Sequence, residues 1–167
     1  MIQYTVKVSD DRTEWFNEEN QRHRENGPAV ELADGTKKWY KEGRLHRENG
    51  PAMEWANGIK EWHKEGELHR LDGPAVERAN GTKKWYKEGQ LHRENDPAIE
   101  WADGEKEWYK KGLLHREDGP AVEYTDGHKS WYLNGYKVTE SEVMNPVKEL
   151  TMTQIEELLG HKVKVIK

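Results

Sequence analysis

Large hydrophobic residues are sparse along the chain and evenly spaced. Trp39, Trp62, Trp85, Trp108 and Trp131 follow one another at intervals of 23 residues, with Trp15 ahead of them at 24. Nine residues before each of the five stands an aliphatic residue, in order Val30, Met53, Val76, Ile99 and Val122. Between each aliphatic residue and its Trp lies Asp34-Gly35, Asn57-Gly58, Asn80-Gly81, Asp103-Gly104 or Asp126-Gly127. These dipeptides supply the residues with φ > 0 that a two-residue hairpin turn requires, so each unit predicts a β-hairpin. With a two-residue turn Val30 faces Trp39, and likewise Met53 faces Trp62, so one aliphatic residue and one Trp fill the same face in every unit. A Lys-Glu-Gly at 41–43, 64–66 and 87–89 reads as a second turn, placing successive hairpins side by side in one antiparallel sheet.

A fixed period of this length means a stacked array in which no unit buries its own face alone. The period is most easily seen at His23-Arg24, His46-Arg47, His69-Arg70, His92-Arg93 and His115-Arg116, and each unit reads HRxxGPAxExxxGxxxWxxxGxL. The one break in this pattern before the final unit is Asp96 in place of the Gly before Pro. Pro cannot donate to a central ladder, so Pro28, Pro51, Pro74, Pro97 and Pro120 mark corners between hairpins. Five units span residues 23–137, and 1–22 read as a strand plus a worn half-unit with one extra residue between Trp15 and His23. Residues 138–167 break the period and predict a small α/β cap. Its helix, over about 152–159, is marked by Thr151 with Gln154 at capping-box spacing, the stripe Ile155, Leu158 and Leu159, and Gly160 beyond it. The segments 2–8 and 162–167 alternate as strands that would cover open sheet edges. The expected fold is all-β, an elongated single-layer antiparallel sheet of stacked 23-residue hairpins.

The motif HRxxGPA with WYKxG resembles the MORN-like repeat of bacteriophage, giant-virus and some bacterial proteins, over roughly residues 10–137. The standard MORN repeat has Gly after the His and a Gly-x-Gly spacing that this sequence lacks. The resemblance implies an elongated twisted sheet used for binding. MORN repeats are associated with phospholipid contact and protein assembly, and no catalytic residue belongs to the repeat itself. A phage or viral origin would make a host factor, such as one serving defence, the natural partner.

Composition changes this picture in two respects. Leu, Ile, Val and Phe supply only about one residue in six, a proportion at which chains stay disordered, but eight Trp and seven Tyr restore a core. With no Cys there is no disulfide, no Cys-ligated zinc and no thiol nucleophile. No phosphate loop or nucleophile elbow is present, so the sequence points away from an enzyme and implies no cofactor or metal. A net charge of −5 argues against general nucleic-acid binding. The first residues lack a signal peptide and no stretch is long enough to span a membrane, so a cytoplasmic protein is expected, in the host cytoplasm if phage-encoded.

Three columns carry candidate chemistry. The first is the row His46, Arg47, His69, Arg70, His92 and Arg93, which could hold a nucleotide or phosphorylated headgroup, or serve only to tie Arg to carboxylates such as Glu48, Glu94 or Glu117 and to turn carbonyls. The second is the column Glu31, Glu54, Glu77, Glu100 and Glu123, which faces Lys38, Glu61, Lys84, Glu107 and Ser130 if the turns have two residues, and reads as a solvated face. The third is irregular: Leu32, Trp55, Arg78, Trp101 and Tyr124. Because a partner must distinguish one unit from the next, Trp55, Trp101 and Tyr124 are the binding candidates, placed by the same turn count on the face of the repeated Trp. Units two and four match each other more closely than their neighbours, giving a second period of 46 residues. A protein partner is the leading reading, a small phosphorylated ligand the alternative, and a homodimer is compatible with either.

Overall fold

A computed structural model of the chain describes residues 3–145, 152–160 and 162. The sheet begins with an antiparallel hairpin, β1 (Thr5–Val8) against β2 (Arg12–Phe16). Each of the first four units then adds two strands to this sheet and sets two more aside. In the first unit β3 (Val30–Leu32) and β4 (Lys37–Lys38) join the sheet, while β5 (Tyr40–Lys41) and β6 (Arg44–Leu45) form a hairpin of their own. The second unit repeats this with β7 (Met53–Glu54), β8 (Lys60–Glu61), β9 (His63–Lys64) and β10 (Glu67–Leu68). The third has β11 (Val76–Glu77), β12 (Lys83–Lys84), β13 (Tyr86–Lys87) and β14 (Gln90–Leu91). The fourth has β15 (Ile99–Glu100), β16 (Lys106–Glu107), β17 (Tyr109–Lys110) and β18 (Leu113–Leu114). In the last, β19 (Val122–Glu123) is followed by an unbroken β20 (Lys129–Leu133) and β21 (Tyr136–Val138). The result is a 13-stranded antiparallel sheet with four separate two-stranded hairpins. At about 4.8 Å per strand the sheet runs roughly 60 Å.

The all-β antiparallel array of stacked hairpins is as expected, but four hairpins stand outside the long sheet, because the strand breaks at the repeated Trp. Trp39 leaves the β4 ladder, its N–H donating to Ala52 O at 2.8 Å while its carbonyl accepts His46 N at 3.1 Å. The peptide groups of the Trp are thus spent on the next unit's corner, and the chain beyond it starts a new hairpin.

The turn count is also corrected. Leu32 N donates to Thr36 O and Gly35 N to Leu32 O, closing a three-residue loop over 33–35 with Gly35 at φ 93. This is a type I turn followed by a left-handed residue, the three-residue hairpin solution. Asp34 Oδ1 accepts Thr36 N at 2.8 Å, so the acidic residue closes the loop with its side chain, and that hydrogen bond holds its carboxyl below the ordinary range. Val30 pairs with Lys38 instead of Trp39, and Met53 with Glu61, Val76 with Lys84, Ile99 with Glu107 and Val122 with Ser130. A slip of one residue exchanges the two faces of a strand. The aliphatic residues and the repeated Trp therefore lie on opposite faces, and the acidic column faces Lys37, Lys60, Lys83, Lys106 and Lys129.

The two-residue turns lie instead at the tips of the separate hairpins. Tyr40 pairs with Leu45 and Lys41 with Arg44, leaving Glu42 and Gly43 at φ 51 and 76, a type I′ turn. The worn half-unit fits the same scheme: Phe16 bridges Arg22, and its extra residue enlarges this tip, where Asn20 takes φ 58.

The core is thin. Ala29, Ala52, Ala75, Ala98 and Ala121 are wholly buried, and the aliphatic residues after them are nearly so. Beyond β21, Thr139 caps α1 (Glu140–Met144) in a reciprocal capping box with Glu142, an element the sequence reading passed over. The expected second helix is present as α2 (Met152–Leu159), with Gly160 at φ 71 just beyond it. Thr151 and all but Lys162 of the strand expected over 162–167 lie outside the described residues, and nothing is described of the Leu158 and Leu159 side chains.

Candidate interaction surface

On the face of the repeated Trp, Arg47 Cζ lies 3.9 Å from the centre of the Trp39 ring, and Arg24, Arg70, Arg93 and Arg116 sit likewise on Trp15, Trp62, Trp85 and Trp108. One nitrogen of the Arg47 fork is spent within the chain, Nη1 donating to Pro51 O at 3.1 Å and to Glu54 Oε1 at 2.9 Å. The other units repeat both bonds, with Glu31, Glu77, Glu100 and Glu123 as acceptors. The partners are thus the acidic column, while Glu48, Glu94 and Glu117 lie beside the histidines. Trp131 ends the series, and among the described residues it has neither an Arg over its ring nor a hydrogen-bond partner for its buried Nε1.

Each histidine holds the turn ahead of it. His46 Nδ1 accepts the N–H of Glu65, the left-handed residue of the next tip, and His23, His69, His92 and His115 accept from Glu42, Glu88, Lys111 and Asn134. A nitrogen that accepts carries no proton, so these rings present N–H only at Nε2. Shallow grooves separate consecutive His-Arg loops; the one between His46–Gly50 and His69–Asp72 encloses about 650 Å³. A concavity of about 1050 Å³ is lined by Glu18, Glu19, Glu42 and Glu65 against Lys41 and Arg44. Along the His-Arg row Arg47, Arg70 and Arg93 each already bind a carboxylate, and in the concavity Arg44 stands among four carboxylates, so neither arrangement presents an uncompensated positive charge to a phosphate. Among the described residues no group of His, Asp and Glu is placed to hold a metal ion.

The opposite face carries the irregular column. Trp55 continues β7, its N–H donating to Ile59 O, so it lies on the face of Met53 and Lys38, away from Trp39. The expectation that it shares a face with the repeated Trp is corrected by the same one-residue slip. Two four-strand cassettes repeat here at 46 residues. Lys38 Nζ stands 5.3 Å from the Trp55 ring, whose Nε1 donates to Glu61; Lys84 Nζ stands 4.6 Å from Trp101, whose Nε1 donates to Glu107 at 2.6 Å. Glu61 also pairs with His63 Nε2 at 3.0 Å, and this bond chiefly holds its carboxyl below the usual range despite partial burial. Glu107 accepts the Tyr109 hydroxyl at 2.7 Å; burial, then that bond, pushes the phenol up. Burial, followed by the charge of Arg78, pulls Lys84 down.

Trp55 is 37% exposed and Tyr124 40%. Trp101 is half-buried, and Arg78 between the two tryptophans is exposed. Arg78 makes no side-chain hydrogen bond or ion pair, unlike the five arginines on the other face. The sequence reading named the three aromatics and passed over Arg78, although its place in an otherwise apolar column was the signal. No family model matches this sequence, and no curated protein matches it.

Proposed function

We propose that this chain is a non-enzymatic binding protein that engages a protein partner through Trp55, Trp101 and Tyr124, with Arg78 between them. The observation that supports this reading is exposure without structural need. Every unit builds the same scaffold, and at this position the scaffold accepts Leu, Trp, Arg, Trp or Tyr, so the aromatics there are not required for the hairpin. Exposed Trp and Tyr beside an unpaired Arg are the residue types that concentrate binding energy at interfaces. The resemblance to MORN-like repeats of phage and viral proteins favours a host factor as the partner and its inhibition as the effect.

Affinity capture followed by titration of the captured protein tests this. Trp55→Ala with Trp101→Ala should weaken binding by more than about tenfold while leaving most of the thermal stability intact. Arg47→Ala with Arg70→Ala should chiefly lower stability. An arginine pair that stays folded and loses its ligand, beside a tryptophan pair that still binds, would move the site to the His-Arg row and its phosphate chemistry.

A further inference from the structure

Along the 13-stranded sheet, the side chains on the aliphatic face form a sequence that reverses onto itself about β11. Arg78 continues that strand. One strand to either side stand Glu61 on β8 and Lys84 on β12; two strands away, Trp55 and Trp101; three strands away, Lys38 on β4 and Glu107 on β16; four strands away, Leu32 and Tyr124. Reversal carries each acid onto a base and each large apolar residue onto another. Among the described residues Lys84 and Lys38 take part in no hydrogen bond or ion pair; each stands over a tryptophan ring, so neither is bonded to a carboxylate of its own chain.

We propose that two copies of this chain associate through this face about a two-fold axis that passes along β11. The proposal rests on the aromatic row being the binding surface, and assigns that surface a second occupant. In this arrangement Glu61 meets the partner's Lys84, Lys38 meets the partner's Glu107, and Trp55 meets the partner's Trp101. An isologous interface needs a patch complementary to itself, and the alternation of Lys and Glu at 46 residues supplies it. A face with one sign of charge throughout, or with the same pattern in all units, would place like on like somewhere along the contact. Among these nine positions the one like-charged pair is Arg78 with its own copy, on the axis. Dimerisation would cover Trp55 and Trp101, so the partner protein competes with the second copy.

Sedimentation of the full chain over a concentration series tests this, with circular dichroism confirming the fold of each variant. Wild type should sediment as a dimer at high concentration. Glu61→Lys and Lys84→Glu should each raise the dimer dissociation constant by more than about tenfold, since like charges then meet twice. The double variant Glu61→Lys with Lys84→Glu should return close to wild type. Arg78→Ala should tighten the dimer. Should Glu61→Lys lose its fold along with the His63 bond, Lys84→Glu and Arg78→Ala carry the test, because neither side chain is held by a hydrogen bond or ion pair among the described residues. A chain that stays monomeric at millimolar concentration, single reversals without effect, or an Arg78→Ala variant that dissociates more readily would overturn the proposal. If the chain is monomeric yet the tryptophan pair still abolishes capture, the dimer falls and the binding function stands; a dimer whose capture of protein ignores the tryptophans is the reverse case.

Discussion

At the scale of single residues, the tips of the small hairpins hold an unfavourable conformation that the surrounding bonds impose. Glu42, Glu65, Glu88 and Lys111 all have φ between 51 and 53, where a residue with a Cβ crowds its own carbonyl. They stay there because the N–H of each is fastened to a histidine and the following Gly N–H to a carbonyl, as Gly66 N is to Leu45 O at 2.8 Å. The last unit has Asn134 at this place, a residue that tolerates this region better. Glu65→Asn should therefore raise stability by about 0.5–1 kcal/mol, read as a higher midpoint in urea. An unchanged or lower midpoint would mean that Glu65 contributes something through its side chain that the backbone geometry does not show.

Hairpins and their period could be read directly from the sequence, because Asp-Gly or Asn-Gly flanked by an aliphatic residue and a Trp leaves few alternatives. The register could not. Asp34-Gly35 suits a two-residue turn, where both residues are left-handed, and equally a three-residue loop in which only Gly35 is. The choice rests on Asp34 reaching back to Thr36 N, a bond that no spacing reveals. That one residue decided which face received Trp55, so the candidate residues were legible and their side of the sheet was not. Ala75 recurs in every unit of the motif, but so small a side chain gives no sign of being core, and it is wholly buried where Trp62 N meets its carbonyl. Ala75→Leu should cost about 1–3 kcal/mol through overpacking at this crease, measurable by denaturant titration. Tolerance of the larger residue would show that the crease can open.

For the whole molecule, stability should accumulate by neighbours. Trp85 is half-buried in the central unit, under Arg93, with units on both sides. Trp85→Ala should cost roughly 3–5 kcal/mol, and Trp15→Ala, near the open end marked by β1, should cost less. Equal losses in denaturant titrations would contradict additive stacking. The two kinds of loop give this array a further property, unequal tolerance to inserted sequence. The tips at 42–43 and their equivalents are nailed to the preceding unit by two backbone N–H groups, and any insertion there must break both. Nothing approaches Gly35, Gly81 or Gly127 within 4 Å of where a Cβ would stand. An epitope tag or a fluorophore placed in the loops at 33–35, 79–81 or 125–127 would hang clear of the stack, giving three labelling positions along one margin of the sheet from which the order and spacing of bound molecules could be measured.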